Sequence, residues 1–379
     1  MLDACAMADG GDAHLLVYAQ GVGVPEGARF TLHRAASPSR LLRVSRPSPR
    51  SGPSFAKVAH DVTLTLALHK LLRTLRPDVV IAHHVEACAA ALAVRAAPLV
   101  FVAHTELAPE LPAYAWPPFG RLLAPALSRA GSALDAVLCR RADATAAVAP
   151  ALAVRLAAAT GVHVDTLALP WPLPTPTGPD ERTAARAALG FASTDEVVLY
   201  AGNLDRYQGL PLALDALELA ASRRPRLRVL LATESSREDL SRLARSASLA
   251  ARVVFARLDD EPARRRAHAA ADVALVPRAV DGGVPVKLLD ALARGVPVVA
   301  QRRALGGLAL SGAVSVCADD DADALAAALV AMLAAPVAAR EVAARGRAYV
   351  AREHSAACFL TTLAAVTARA LDASRRTST

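Results

Sequence analysis

The chain has 379 residues, of which 54% are hydrophobic and 21% are charged, and its formal net charge at pH 7 is +8. This length exceeds the usual size of one hydrophobic core, so we expect two domains. The basic balance suits anionic lipids, phosphate-bearing ligands or nucleic acid, but with aromatic residues at only 4% no base-stacking surface is visible, and a nucleic-acid partner is disfavoured.

The cysteines indicate a reducing compartment. They are odd in number, scattered and without zinc-type spacing, at positions Cys5, Cys88, Cys139, Cys317 and Cys358. No signal peptide and no apolar run long enough for a membrane span is apparent. We therefore expect a cytoplasmic protein whose contact with the membrane is at most peripheral, at its inner face.

The first half of the chain shows a faint alternation of strands and helices. Strands are predicted at 14–18, 79–82, 99–102 and 144–148. Residues 2–8 look like a helix that feeds the first of these strands, whereas a Rossmann lobe normally opens with a central strand before that helix. Because a missing central strand would leave two strand edges unpaired, we expect the native start to lie upstream of Met1.

An arginine-rich stretch follows the first predicted strand and contains no acidic residue. Its members are Arg29, Arg34, Arg40, Arg43, Arg46 and Arg50. No aromatic or amphipathic pattern accompanies the charge, so a solvated loop is favoured over a membrane-facing patch.

A proline-rich linker joins the two halves of the chain. Prolines occupy alternate positions from 170 to 176, and Pro179 suits the first turn of a helix. Asp180 and Glu181 complement the macrodipole at the start of that helix, and Gly190 can take the left-handed conformation that ends it.

From residue 196 the alternation becomes regular and predicts a doubly wound parallel sheet. Strands are expected at 197–201, 227–231, 253–255, 273–276 and 296–299, with helices from 210, around 264–270 and at 287–293. We divide the chain into a first Rossmann-like lobe with a truncated start (1–169), a linker with the following helix (170–195), a second Rossmann-like lobe (196–345) and terminal helices that return to the first lobe (346–379).

The strongest motif follows the strand that ends in Pro-Arg at Arg278. Gly282 and Gly283 let backbone N–H groups approach a ligand closely, and the start of the next helix favours a diphosphate. Lys287 adds a full positive charge in the first helical turn. Asp290, one turn later, can accept hydrogen bonds from the vicinal hydroxyls of a ribose.

A second motif is a strand that ends in a glycine turn and opens a helix through Tyr-Gln-Gly. It contains Gly202, Asn203, Gln208 and Gly209. Amide donors bind phosphate more weakly than cations do, and Arg206 is placed to compensate. Such a turn taken alone is more often a packing device than a phosphate cradle.

In the first half, polar residues follow two predicted strands. His104 comes directly after one strand and faces the expected cleft, with Glu106 beside it. His83, His84 and Glu86 follow another strand, where they bind an acceptor or position a base. A metal site is disfavoured, because adjacent histidines on an extended chain point in different directions and no third ligand is apparent.

Together these segments resemble the family 4 glycosyltransferases, in the bacterial subset with Tyr-Gln-Gly and Pro-x-Lys donor motifs that serves exopolysaccharide or other glycoconjugate assembly. The resemblance implies an α/β chain of the GT-B fold, with two Rossmann-like doubly wound parallel-sheet lobes facing a cleft. It also implies retaining transfer of a hexose-type unit from a UDP- or GDP-linked sugar to a glycan or lipid-linked acceptor, without a metal ion or other cofactor.

The roles that follow can be assigned by position. Catalytic roles fall to His104, Lys287 and Asp290, donor binding also to Gly202, Asn203, Gln208, Gly209, Arg278, Gly282 and Gly283, and the acceptor side to His83, Glu86 and Glu106.

The chain departs from the family pattern at several positions. The family often carries two glutamates eight positions apart, where this chain has Gly282 and Asp290, and Asn203 and Gln208 replace an arginine and a lysine. These departures keep a second interpretation open, a non-catalytic GT-B pseudoenzyme or partner subunit that binds a nucleotide sugar. A sugar-nucleotide epimerase is disfavoured because the Pro-x-Lys run matches transferases better.

Overall fold

The structure, a computed structural model, describes residues 12–19, 29–38, 55–113, 120–233 and 247–378. Contacts within the chain separate it into two compact units. The first unit contains residues 1–170 and 356–379, and the second contains residues 171–355.

Strands and helices alternate through the described residues of both units. The strands are β1 (His14–Val17), β2 (Thr31–Arg34), β3 (Val80–His83), β4 (Leu99–Ala103), β5 (Ala144–Ala147), β6 (Val164–Thr166), β7 (Glu196–Ala201), β8 (Leu227–Thr233), β9 (Val253–Arg257), β10 (Val273–Val276), β11 (Val298–Gln301) and β12 (Ser315–Cys317). The α-helices are α1 (Phe55–Leu75), α2 (His84–Val94), α3 (Leu107–Ala113), α4 (Gly120–Arg141), α5 (Pro150–Thr160), α6 (Pro179–Ala188), α7 (Leu210–Arg223), α8 (Ala247–Ala250), α9 (Glu261–Ala270), α10 (Val286–Ala293), α11 (Ala322–Ala334), α12 (Pro336–Glu353) and α13 (Ala356–Ser378).

The second unit is built on a 6-stranded parallel sheet with the order β12-β11-β10-β7-β8-β9. Successive residues of β7 face opposite sides, so Val197 and Leu199 enter one hydrophobic cluster while Val198 and Tyr200 enter another. Both faces of the sheet are therefore buried, as the predicted doubly wound arrangement requires. The chain changes direction across the sheet between β7 and β10, and ligands of such sheets bind beyond the carboxyl ends of the strands at this point.

The first unit carries two parallel sheets, β1-β2 and β3-β4-β5-β6. Val100 of β4 and Ala146 of β5 belong to its core, and Phe359 and Val366 of α13 pack in the same cluster. The terminal helix therefore returns to the first unit. This return begins at Ala356, later than the sequence analysis places it, because α12 stays in the second unit.

Most predicted elements are present, with small shifts at their ends. β11 begins at Val298 rather than at 296, since Pro297 has no N–H to contribute to the ladder. Helix α6 begins at Pro179 as predicted, and Gly190 adopts a φ of 75° just beyond its end. The sequence analysis does not predict β2, β6 and β12, in which polar residues interrupt runs of 4 or 3 residues.

Two features of the sequence analysis lie outside the described residues. One is the helix predicted at 2–8, together with the strand expected ahead of it. The other is the part of the arginine-rich stretch that contains Arg40, Arg43 and Arg46 together with Arg50.

By length and composition alone, two helical stretches of the described chain could cross a membrane, whereas the sequence analysis expects none. They are Leu122–Arg141 and Pro336–Arg376. The second stretch is interrupted, because α12 ends at Glu353 and α13 begins at Ala356. Core helices of soluble proteins reach the same length and apolar composition.

Candidate active site

The second unit brings a glycine turn and a lysine together where the strand order reverses. Gly202 follows β7 and adopts a φ of 144°, a conformation that favours glycine. A Cβ placed on Gly202 would lie 3.6 Å from Cδ of Lys287. The stem of the lysine therefore lies over the turn, at the carboxyl end of the sheet.

Lys287 is buried, and its amino group has no partner among the described residues. The residue is only 8% exposed, and its Nζ has no hydrogen-bond partner among the described residues. Nζ lies 4.3 Å from the ring centroid of Tyr200, a cation–π contact. Burial lowers the pKa of Lys287 well below its usual value, and the charge of Arg278 lowers it further. A buried ammonium without a partner is unfavourable, so this position favours an anion.

Arg278 packs against Gly282, the position where the family often has its first glutamate. Its backbone N–H donates to Oε1 of Gln301 at 2.7 Å, and its Nε–H donates to the carbonyl of Val280 at 3.0 Å. A Cβ on Gly282 would lie 2.6 Å from Nη2 of Arg278. A side chain at position 282 would therefore shift the guanidinium of Arg278 from this place.

The loops after β7 and β10 are held in close contact. Ala279 donates its backbone N–H to the carbonyl of Tyr207 at 2.9 Å. Gly209 has a φ of 73°, and a Cβ there would lie 3.1 Å from both the carbonyl carbon of Arg278 and the N of Ala279. Gly209 permits this approach and also precedes the first residue of α7.

Asn203 and Gln208 are brought together, but their side chains bond mainly to each other and to the loop. Nε2 of Gln208 donates to Oδ1 of Asn203 at 2.8 Å, and Nδ2 of Asn203 donates to Oδ2 of Asp205 at 2.8 Å. The backbone carbonyl of Asn203 accepts from the Tyr200 hydroxyl at 2.7 Å. The amides thus stiffen the turn, whereas the sequence analysis assigns them to a phosphate.

Asp290 lies in a buried ionic network. Its Oδ1 accepts from Nε of Arg294 at 2.9 Å, and its Oδ2 is 3.6 Å from both Nη1 of Arg264 and Nε2 of His268. Arg294 also pairs with Glu261 at 2.7 Å. These partners lie on α9 or immediately after α10, so the network explains a buried acid here without the ribose that the sequence analysis assigns to it.

Two residues of this site escape the motif analysis. Tyr200 forms the floor under Lys287, and Gln301 is 0% exposed, with Nε2 unpartnered among the described residues. Gln301 ends the apolar strand β11, next to β10. A polar residue that ends an apolar strand was the available signal.

In the first unit, histidines gather at the carboxyl ends of β3 and β4. Nδ1 of His83 and Nε2 of His104 are 2.9 Å apart, and the ring of His84 stacks on that of His104 with centroids 4.2 Å apart. His84 adopts a φ of 70°, unusual for a residue with a side chain. Burial lowers the pKa of His83 to about 4 and that of His104 to about 3, so both are neutral at pH 7.

The acceptor-side carboxylates have cationic partners. Glu86 pairs with Lys57, and Glu106 accepts from Nε of Arg155 at 2.8 Å. The charge of Glu86 raises the pKa of His84, although burial lowers that pKa by more. Glu86 is thus near the histidines, whereas Glu106 is tied to α5. Among the described residues, no group of His, Cys, Asp and Glu is arranged to hold a metal ion.

Comparison with known proteins identifies the class. Residues 7–169 match the family described as "Glycosyltransferase Family 4", and residues 195–335 match "Glycosyl transferases group 1". No curated protein matches the sequence. The expected α/β fold of the GT-B type is confirmed by solved structures of similar shape.

Three of these solved structures are informative. Sucrose-phosphate synthase from Thermosynechococcus elongatus is 18% identical, with a TM-score of 0.77, over 98% of this chain and 92% of that one. HepE from Anabaena, in complex with UDP and glucose, is 17% identical, with a TM-score of 0.69, over 92% and 90%. WaaG, a glycosyltransferase involved in lipopolysaccharide biosynthesis, is 16% identical, with a TM-score of 0.69, over 97% and 94%.

The protein is therefore a GT-B glycosyltransferase by fold and domain content. Both matched domains are glycosyltransferase domains, and the first of them is of the family 4 type.

Substituting Lys287 tests whether burial of its unpartnered amino group lowers the stability of the fold. We expect Lys287→Met to raise the free energy of unfolding by about 1–3 kcal/mol, because it removes an unsatisfied buried group and keeps the apolar stem. Urea unfolding measures the change, with Lys70→Met, at an exposed lysine, as the matched control. A loss of stability in the Lys287 variant would contradict this description.

Asp290→Asn should have the opposite effect. The substitution removes the buried carboxylate that faces Arg294, Arg264 and His268, and we expect a loss of about 3–5 kcal/mol. A double-mutant cycle with Arg294→Met measures the coupling between the two residues. Additive effects of the two substitutions would show that the network is not cooperative.

The histidine cluster predicts acid sensitivity. The pKa values of His83 and His104 are lower in the folded chain, so the unfolded chain binds more protons between about pH 6.5 and pH 4, and stability falls as the pH falls through that window. We expect His104→Gln to reduce the slope of the free energy of unfolding against pH by up to about 1.4 kcal/mol per pH unit. Thermal unfolding across this range measures it, and an unchanged slope would contradict the assignment.

Proposed function

We propose that the protein transfers a hexose-type unit from a nucleoside diphosphate sugar to an acceptor hydroxyl, with retention at the anomeric carbon. The observation that carries the proposal is the buried, unpartnered Nζ of Lys287 at the carboxyl end of the second sheet. A diphosphate would supply a partner of opposite charge for this amino group.

The surrounding groups suit a departing diphosphate. Lys287 lies in the first turn of α10, where the positive end of the helix dipole adds to its own charge. Arg278 lies close enough to lower the pKa of Lys287. Charge developing on the leaving group is stabilised best by cations held in place before the reaction. These groups support a transfer that proceeds without a metal ion.

The first unit offers a neutral hydrogen-bonding group. The neutral ring of His104 suits a hydrogen bond to a sugar hydroxyl better than proton donation at pH 7. We propose that the departing phosphate oxygen accepts the proton of the acceptor hydroxyl, so that no strong protein base is needed. His83 holds the His104 ring through the 2.9 Å contact.

A similar structure suggests which donor to test first. HepE has been solved with UDP-glucose, which makes uridine nucleotides the first donors to test. We propose a glycan or lipid-linked acceptor and a role in exopolysaccharide or other glycoconjugate assembly at the cytoplasmic face of the membrane. Cys88, Cys139 and Cys317 are buried and unpaired, which supports a reducing compartment.

A second candidate function is a non-catalytic subunit that binds a nucleotide sugar. Gly282 packs against Arg278 where the family often has a carboxylate, and the side chains of Asn203 and Gln208 are engaged with each other. Fewer groups are therefore free to contact the sugar, which favours binding without transfer.

The test measures nucleotide binding and turnover separately. UDP- and GDP-linked sugars are screened by thermal shift and for nucleotide release, in the wild type, Lys287→Met and Lys70→Met. We expect the Lys287 variant to raise the Kd of the nucleotide about 10- to 100-fold, since a charge-assisted hydrogen bond contributes about 1.5–3 kcal/mol. The Lys70 variant should bind as the wild type does.

The outcomes separate the candidates. Binding with turnover supports the transferase, and binding without turnover supports the non-catalytic subunit. No response to any sugar nucleotide would overturn the donor site. Calorimetry in buffers of different ionisation enthalpy adds an independent reading. Because a diphosphate raises the pKa of Lys287, wild-type binding should take up a proton, and binding to Lys287→Met should take up less.

A further inference from the structure

A short segment carries His104 between two fixed elements. β4 ends at Ala103, whose carbonyl accepts from the N–H of Val148 at 3.0 Å, and α3 begins at Leu107. Only three residues, 104–106, connect the two. Because such a short connection has little freedom, the place where α3 begins sets the position of the His104 ring.

Helix α4 lies in close contact with the first turn of α3. A Cβ on Gly131 would lie 2.6 Å from the carbonyl carbon and oxygen of Leu107 and 2.7 Å from the N of Ala108. Contacts this short to backbone atoms cannot be relieved by rotating a side chain. Gly131 is therefore the residue that lets α4 approach this turn.

Asp135, one helical turn beyond Gly131, holds the same turn by hydrogen bonds. It is 4% exposed, and its Oδ2 accepts from the N–H of Leu107 at 2.9 Å and from that of Ala108 at 3.3 Å. The first N–H groups of a helix have no partner within the helix, so a carboxylate that accepts from two of them fixes its start.

The carboxylate is held there at the expense of stability. The pKa of Asp135 is raised to about 7, mainly by burial and also by the charges of Glu106 and Glu110, against the lowering effect of the two backbone N–H groups. Asp135 in turn raises the pKa of Cys139 on the same helix, where burial is the larger cause. Since the pKa of Asp135 is higher in the folded chain, the contribution of Asp135 to stability falls as the pH rises from about 4 to about 7, opposite in sign to that of His83 and His104.

We propose that Gly131 and Asp135 are positioning residues for sugar transfer, which fix the first turn of α3 and thereby hold His104 against His83 and His84. The proposal rests on the proposed function for the role of His104. A buried acid that opposes folding yet anchors the segment beside a site residue is typical of a residue retained for activity rather than for stability.

The experiment compares Asp135→Asn and Gly131→Ala with the matched control Asp143→Asn. Asp143 accepts from the N–H of Leu99 at 2.8 Å, at the opposite end of β4 from His104. We expect kcat for transfer to fall about 100-fold in the first two variants, as about 1 Å of misplacement can cause. The Kd for UDP should be unchanged in both, and kcat should be unchanged in the control.

Stability separates positioning from a purely structural role. At about pH 8 we expect Asp135→Asn to be at least as stable as the wild type, and its stability relative to the wild type should rise between about pH 4 and pH 7. Asp143→Asn should lose stability and keep its kcat. A loss of kcat that follows the loss of stability in all three variants would overturn the proposal.

A readout that needs no turnover keeps the two proposals distinguishable. The ring NMR signal of His104, assigned with His104→Gln, should shift in Asp135→Asn and in Gly131→Ala but not in Asp143→Asn. If the wild type transfers no sugar, the proposed function fails. The shift of the His104 signal still decides whether Gly131 and Asp135 position His104. An unchanged His104 signal in both Asp135→Asn and Gly131→Ala would overturn the inference.

Discussion

The amino group of Lys287 lies among buried side chains without a hydrogen-bond partner in the described residues, and three neighbouring residues of the second unit define its surroundings. Tyr200 supplies the face of its ring, and Gly202 leaves room for the lysine stem. Arg278, nearby, increases the electrostatic cost of the charge. A fold tolerates such a group when a ligand of opposite charge satisfies it, and a diphosphate meets this need.

Buried charges in this protein have two kinds of surroundings. Asp290 lies in a network that reaches Arg294, Arg264 and His268, so its charge is balanced within the fold. Lys287 has no balancing partner among the described residues, and Asp135 holds backbone N–H groups while its burial opposes ionisation. The first arrangement stabilises one structure, and the second favours binding or positioning.

In the first unit the histidines act without charge at neutral pH. Burial keeps His83 and His104 neutral, so the cluster offers hydrogen bonds without a net charge of its own. Cations and a helix start in the second unit suit a leaving diphosphate, whereas a neutral ring suits a sugar hydroxyl.

The sequence by itself determined the parallel sheet of the second unit, the start of α6 at Pro179, and the glycine turns, because periodicity and turn chemistry are local. It also placed Lys287 in a first helical turn. Tertiary structure alone decided that the amides of Asn203 and Gln208 bond to each other and that Asp290 faces cations of α9. Side-chain partners depend on which elements meet in space, and spacing along the chain does not specify that.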